Sequence, residues 1–155
     1  MRLHIPVTLR WSDFDAYGHV NNAEMFRVLE EARMQAFWRP DEFDDALPTA
    51  VLEPGPKSRV LGLIARQEIE YLAPIPYGRR PLDVELWIGA LGGASLDVCY
   101  EVFSPVGAEP RRLYTRAVTT LVMVSAESGS PVRIPPEHRA AWADYVGPAP
   151  SFTRR

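Results

Sequence analysis

Cysteine is almost missing from this chain: Cys99 stands alone among 155 residues. That excludes a disulfide framework and a cysteine-rich zinc site. Histidine is scarce too. His4, His19 and His138 include no pair at i,i+4, the spacing at which a helix offers two ligands to zinc. There is no Gly-x-Ser-x-Gly elbow, no phosphate loop and no dinucleotide fingerprint, so α/β serine hydrolases and the common nucleotide-binding classes drop out. Positive charge is not in excess. A net charge of −3 and a pI of about 5.6 argue against a general nucleic-acid binder. If a polyanionic ligand binds, local arginines must attract it. No apolar run approaches the roughly 18–20 residues of a membrane span. The opening MRLHIPVTLR is too short and too polar for a signal peptide. The expectation is a cytoplasmic, soluble protein with no membrane or nucleic-acid partner, no metal and no cofactor.

What is present is ordinary globular material, 46% apolar and 24% charged, enough for one domain with a real core. Residues 1–146 are read as that domain and 147–155 as a frayed tail. Residues 4–11 alternate, with Ile5, Val7, Leu9 and Trp11 on one face, and Pro6 suggests an edge strand. Residues 12–20 read as a loop. From Asn22 to about Trp38, Met25, Val28, Leu29, Ala32 and Ala36 recur at helical spacing, and Pro40 ends the helix. Residues 39–58 form a long acidic, proline-containing loop with room for a helical turn at 41–47. Strand patterns follow over 59–72, 82–90, 95–104 and 111–124, with Gly92-Gly93 as a hairpin turn, then a short helix at about 136–145. One strand, one long helix and a meander of strands make an α+β fold, a helix laid on an antiparallel sheet.

The stretch 10–38 is the most informative. Asn21 suits an N-cap, Glu24 stands three positions on as in a capping box, and Val20 with Met25 fits a hydrophobic staple. A helix start has unpaired N–H groups and partial positive charge, which suits a developing oxyanion. Asp15, just upstream, is placed to attack a carbonyl or to activate water. The bland reading of Asp15 is a turn or cap aspartate. Asp13 is read as a loop-holding residue, since nothing completes a magnesium site around the pair. His19 is either an acid–base group or a loop histidine bonded to backbone. Cys99 is read as a buried hydrophobe. The arginines at 59, 66, 79, 80, 111 and 112 are either phosphate contacts or solvated strand ends.

The string Asp13-Phe14-Asp15-Ala16-Tyr17-Gly18-His19-Val20-Asn21-Asn22, followed by Glu31-Ala32-Arg33, resembles the hotdog-fold thioesterases of the 4-hydroxybenzoyl-CoA thioesterase type. Weaker similarities lie at Glu70-Tyr71-Leu72-Ala73-Pro74 and at Gly129-Ser130-Pro131-Val132-Arg133-Ile134-Pro135. His19-Val20-Asn21-Asn22 also resembles acyl-carrier-protein thioesterases of plants and bacteria. The resemblance implies one long central helix wrapped by a curved antiparallel sheet, a short C-terminal helix, and a homodimer or homotetramer with sites at the subunit interface. It implies Asp15 as the catalytic carboxylate and the Asn22 N–H as oxyanion donor, with His19 beside them. Tyr17, Gly18, Asn21 and Met25 are the expected substrate contacts near the helix, and Arg59 and Arg66 those for phosphates. Relatives often carry an aromatic residue where Met25 stands, so the acyl pocket has its own shape here.

The expected function is hydrolysis of an acyl-CoA or acyl-carrier-protein thioester to acid and thiol. The alternatives are a hotdog hydratase or dehydratase and a non-catalytic acyl-CoA binder. Loop 39–58, directly after the helix, is expected to border the acyl site.

Overall fold

The computed structural model describes residues 1–41 and 45–153. The elements in chain order are β1 (Leu3–Val7), α1 (Met25–Phe37), β2 (Val60–Tyr71), β3 (Leu82–Leu91), β4 (Ser95–Phe103), β5 (Leu113–Ser125) and α2 (Pro136–Trp142). The five strands form one sheet in the order β1-β3-β4-β5-β2, every neighbour antiparallel. The expected α+β hotdog architecture is what the chain adopts.

The alternation in β3 and β4 explains the layering. Val84, Leu86 and Ile88 on β3, and Leu96, Val98, Tyr100 and Val102 on β4, are buried toward α1. α1 answers with Met25, Val28, Leu29, Ala32, Ala36 and Phe37, all buried at helical spacing. Each fully buried aliphatic side chain of this kind contributes about 1.5–3 kcal/mol. Arg33 is buried on the same helix and donates to the Tyr100 hydroxyl at 3.1 Å, which satisfies one of its N–H groups inside the core.

Gly89 marks a bulge, because the β3–β4 register shifts between Ile88 and Ala90. A Cβ at Gly89 would lie 2.5 Å from Cys99 Sγ, so only glycine lets the two strands close there. Cys99 is buried as expected. Burial, aided by the charge of Asp97, pushes its thiol up to about 12, which leaves it a packing residue.

Three expectations change. β1 ends at Val7, short of Trp11, because Val7 pairs with Leu82 and the next residue on β3's side is Pro81, which has no N–H to offer. Trp11 falls in a 3₁₀ turn over Trp11–Asp13 and is 78% exposed. The helical turn expected at 41–47 falls partly on 42–44, outside the described residues, and 45–47 are not helical. Residues 147–153, expected to fray, are held by backbone bonds. Gly147 N–H donates to Ile88 O at 2.9 Å, and Trp87 Nε1 donates to Pro148 O at 2.9 Å. Arg116 donates to Ser151 O at 3.0 Å, and Thr153 N–H to Glu70 Oε2 at 2.8 Å. The segment therefore crosses the outer sheet face from β3 to β5 to β2. It buries Trp87, whose ring also carries the Arg2 guanidinium at 3.8 Å.

Candidate active site

The site begins with a loop that the sequence folds tightly. Gly18 takes φ +76°, which any side chain would disfavour, and its N–H donates to Asp15 O at 3.2 Å. Asp15 N–H donates to His19 O at 3.0 Å, and Val20 N–H to Ile75 O at 3.0 Å, so the loop is closed on itself and tied to the segment after β2. Asp13 is the anchor beneath it. Its carboxylate is fully buried and accepts Arg10 N–H at 2.6 Å, Arg10 Nη2 at 3.0 Å and Arg27 Nη2 at 2.6 Å. Burial alone would raise the Asp13 pKa. The Arg10 backbone N–H and the Arg27 and Arg10 guanidiniums outweigh it and hold the carboxyl below its usual value.

Asp15 divides its two oxygens. Oδ1 accepts Tyr17 N–H at 2.8 Å and His19 N–H at 3.4 Å, the bond pattern of a turn aspartate. Oδ2 accepts no hydrogen bond among the described residues, and Asp15 lines an open cleft of about 510 Å³. The structural reading and the chemical one thus use different oxygens of one carboxylate.

The helix start differs from its expected form in an instructive way. Asn21 does not cap α1: the cap position is Glu24, with no side-chain cap bond, and Asn21 Oδ1 instead accepts Ala23 N–H at 2.9 Å in a turn that precedes the helix. The capping box does not form, because Asn21 N–H donates to Asp13 O at 2.7 Å and Glu24 turns to Arg10 at 3.4 Å. Regular helix begins at Met25, three residues later than the expected Asn22. The reason lies across the cleft. The Tyr71 hydroxyl donates to Asn22 O at 2.7 Å, and Phe26 N–H donates to Ala23 O at 3.3 Å, so the first turn is tighter than α. Asn22 N–H donates to nothing among the described residues and borders the same cleft as Asp15. It is a free donor just ahead of the helix, on the lining that also holds the free carboxylate oxygen of Asp15.

Of the expected site residues, Asp15, His19, Asn22 and Met25 meet in this cleft, with Val20 and Met25 buried in its wall. Asn21 and Gly18 act through the backbone just described. Tyr17 contributes its N–H to the turn, while its side chain is 86% exposed and not part of the lining. Arg66 pairs with Glu68 at 2.6 Å on β2 and does not reach the cleft of its own chain. Arg59 lies at the far end of β2, in a second cavity of about 410 Å³ with Lys57, Arg133 and Trp142. Loop residues 52, 53, 57 and 58 line that second cavity, so within one chain this loop borders Arg59 rather than Asp15. Tyr71 and Thr115 are the cleft residues that sequence reasoning misses. They face each other in the β2–β5 register, and only the tyrosine in the Glu70-Tyr71-Leu72-Ala73-Pro74 string gives a signal. Burial raises the Tyr71 phenol above its usual value, which keeps it a donor to Asn22.

Among the described residues, His4, Asp83 and Glu85 could gather around a metal ion, on the outer sheet face. Their carboxylates are already engaged by Arg111, at 3.1 Å to Asp83 and 2.8 Å to Glu85, and Arg2 holds Glu85 at 2.7 Å. Guanidiniums occupy the place a cation would take.

Comparison with known proteins gives one consistent picture. The profile of the thioesterase-like superfamily matches residues 9–142. YsmA of Bacillus subtilis (strain 168), itself uncharacterized, is 29% identical over 127 residues, spanning 81% of this chain and 75% of its own. A thioesterase from Thermus thermophilus, solved with coenzyme A and zinc, shares 26% identity at a TM-score of 0.66, covering 92% of both chains. PA5185 of Pseudomonas aeruginosa strain PAO1 shares the fold at a TM-score of 0.73 with 24% identity, covering 96% of this chain and 94% of its own.

Proposed function

The chain belongs to the thioesterase-like superfamily and is a thioester hydrolase of hotdog fold; we propose that it hydrolyses an acyl-CoA, with Asp15 as the reacting carboxylate. The observation that carries this reading is the pairing of an open Asp15 Oδ2 with the free Asn22 N–H on one cleft. The thioester carbonyl oxygen takes the Asn22 N–H as its charge develops. Asp15 Oδ2 attacks the carbonyl carbon and expels the CoA thiolate, giving a mixed anhydride that water then opens. Alternatively it takes a proton from a water that attacks directly. Both routes consume one water and release one acid and one thiol. His19, with its ring at the cleft, is the group that returns a proton to the leaving thiolate. The Thermus relative bound to coenzyme A supports CoA as the carrier.

The same proposal includes a homodimer joined through β2. This edge strand has no buried residue, and Leu63 and Ile64 are 50% and 45% exposed. Antiparallel pairing of two copies reverses their ends, which brings Lys57 and Arg59 of one chain toward the Tyr71 end of the other. Arg59 and the 39–58 loop would then serve the partner's cleft. A cytoplasmic location goes with this reading, since the single thiol needs no oxidising compartment. No helix among the described residues is long and apolar enough to cross a membrane.

Thiol release measured over acyl-CoA chain lengths and aryl-CoA substrates tests the reaction. One free thiol per acid is expected. Hydration of an enoyl-CoA without thiol release would instead favour hydratase chemistry, and binding without either product a non-catalytic role. Single turnover in ¹⁸O water that leaves label in the Asp15 carboxylate identifies the anhydride route, through attack of water on the Asp15 carbon of the anhydride.

A further inference from the structure

α1 packs on β1 and β3, so the β5–β2 side of the same sheet face is left largely without a helix above it. On that side the register lays out successive rungs. Tyr71 faces Thr115 in the cleft that Asp15 lines, Ile69 faces Ala117 beyond them, and Gln67 faces Thr119 beyond those. Residues two apart in a strand share a face, so these pairs form one lane that leads away from the cleft. Its middle rung is apolar and its far rung polar. From Thr115 to Thr119 the lane is about 14 Å long, at roughly 3.4 Å per residue.

At the far end stands a buried charge that the hydrolytic mechanism does not use. Arg33 is 3% exposed, and its Nη1 donates to the Tyr100 hydroxyl at 3.1 Å. Tyr100 lies beside Ala117 on β4, and its hydroxyl also meets Thr119, which donates to Gln67 Oε1 at 3.2 Å. Burial holds the Tyr100 phenol above its usual pKa, so it stays neutral and brings Arg33 no counter-charge. Among the described residues no carboxylate pairs with Arg33, and Glu30, three positions earlier, is exposed and does not reach it. A guanidinium carries several N–H groups, and one bond to a neutral oxygen leaves most of its capacity unmet. A buried cation without an anion is costly, and an apolar side chain of similar length would fill the same space without that cost. Arg33 is eight residues beyond Met25 of the cleft wall, about 12 Å by the rise of a helix. Helix and strand thus set the charge at a similar depth from the cleft.

From this we infer that the acyl group carries a second carboxylate at its far end, and that Arg33 and Gln67 read it. The substrate class is the CoA monothioester of a medium-length dicarboxylic acid. Its thioester carbonyl lies at Asp15 and Asn22, its methylenes pass Ile69 and Ala117, and its free carboxylate takes the Arg33 guanidinium and the Gln67 amide N–H. A short diacid does not span the lane. A methyl-ended chain leaves Arg33 without an anion, and a site built to bond a polar group discriminates strongly against an analogue that lacks it. The inference rests on the acyl-CoA reading of the Asp15 cleft and narrows it to one class of acyl group.

The test measures kcat/KM for diacid monothioesters of CoA from about six to twelve carbons, a range set by the length of the lane. Each is paired with the straight-chain acyl-CoA of the same length. At the best length the parent should favour the diacid ester by about 100-fold, since a charge-assisted bond is worth roughly tenfold or more and two are made. Arg33→Met keeps an unbranched side chain, removes the charge and should bring the ratio near one. Arg33→Lys should restore part of it. The melting temperature shows whether Arg33→Met folds. Where it does not, Gln67→Leu at the exposed end of the network decides, and should lower the ratio roughly tenfold. A parent that favours the straight chain at every length overturns the inference even if hydrolysis is robust, and so does a diacid preference that these variants leave intact. Calorimetric binding of the same ester pairs to Asp15→Asn reads the preference without turnover. The inference is therefore upheld or overturned on its own even if no ester is hydrolysed, and the two readings fail separately.

Discussion

The two edges of this sheet are built for opposite ends. β1 is five residues long, carries Pro6, and buries Leu3, Ile5 and Val7 against α1. Beyond the start of β1, past the Leu3–Leu86 pair, the chain covers that edge itself, with Val146 bridging to Ile88. β2 is twelve residues long and leaves Val60, Leu61, Leu63 and Ile64 between 38% and 50% exposed, with no segment of the described chain paired along its outer side. Edge strands are normally shortened, charged or covered. Under the dimer proposed above, the second edge is the one that a partner copy covers. The candidate site lies at the open edge, where Tyr71 at its end holds the Asn22 carbonyl in the cleft that Asp15 also lines.

That contrast can be tested at several strengths. The largest effect is expected from Asp15→Asn at the end of the open edge. It keeps an oxygen for the turn and removes the reactive carboxylate, so turnover should fall by roughly 10²–10⁴-fold with association and melting temperature retained. Parent-rate hydrolysis by this variant across a substrate panel would sink the mechanism. Charges on the two edges come next. Leu63→Lys with Ile64→Lys should dissociate the dimer, measured by sedimentation velocity, since each apolar side chain withdrawn from an interface forfeits about 1.5–3 kcal/mol. His4→Lys on β1 should leave the sedimentation coefficient unchanged. Equal behaviour of the two edges would erase the comparison.

The closed side also supports the site, and two smaller effects measure that. Asp13→Ala leaves Arg10 and Arg27 without their common acceptor and should cost about 2–3 kcal/mol in chemical denaturation, part of the full cost being spared because both guanidiniums reach water. The folded-state pKa of Asp13 is lowered, so its contribution is complete above the unfolded value of about 3.9 and is lost as pH falls through the lower folded value. The parent should therefore lose stability below about pH 4 more steeply than Asp13→Ala. A parallel pair of stability–pH curves would show that the carboxylate is not the linked group. Asn21→Ala is the mildest change. Loss of its turn bond to Ala23 N–H should cost about 0.5–1.5 kcal/mol, with a rate loss smaller than that of Asp15→Asn. A rate loss without a change in melting temperature would mean that Asn21 acts on substrate directly.

The fold is legible in the sequence because its signals are local. The alternation in 82–90 and 95–104 and the helical spacing of Met25, Val28, Leu29, Ala32 and Ala36 need no knowledge of partners. Asp15, His19, Asn22 and Met25 are legible for the same reason, lying within one turn and one helix start. The failures are nonlocal. The Glu24 capping box loses to a longer-range competitor, the carbonyl of Asp13, whose buried carboxylate Arg10 and Arg27 hold in place. Tyr71 is 49 residues from the carbonyl it holds. Residues 147–153 bond through backbone and carry no side-chain pattern that points to a sheet. Arg59 and Arg66 group with the cleft by residue type alone, whereas their positions along β2 separate them from it.

The crossing of residues 147–153 over the back of the sheet has one more implication. Glu70 and Tyr71 are successive residues of a strand and so face opposite sides. Thr153 N–H holds Glu70 on the back, and Tyr71 holds Asn22 on the front. The end of the described chain is thus tied, one peptide unit away, to the hydroxyl that holds the carbonyl of Asn22, the proposed oxyanion donor. Whatever loosens that strap on the outside loosens the register of β2 where its Tyr71 end meets the cleft, so the reverse face of the sheet acts as a handle on the chemistry in front.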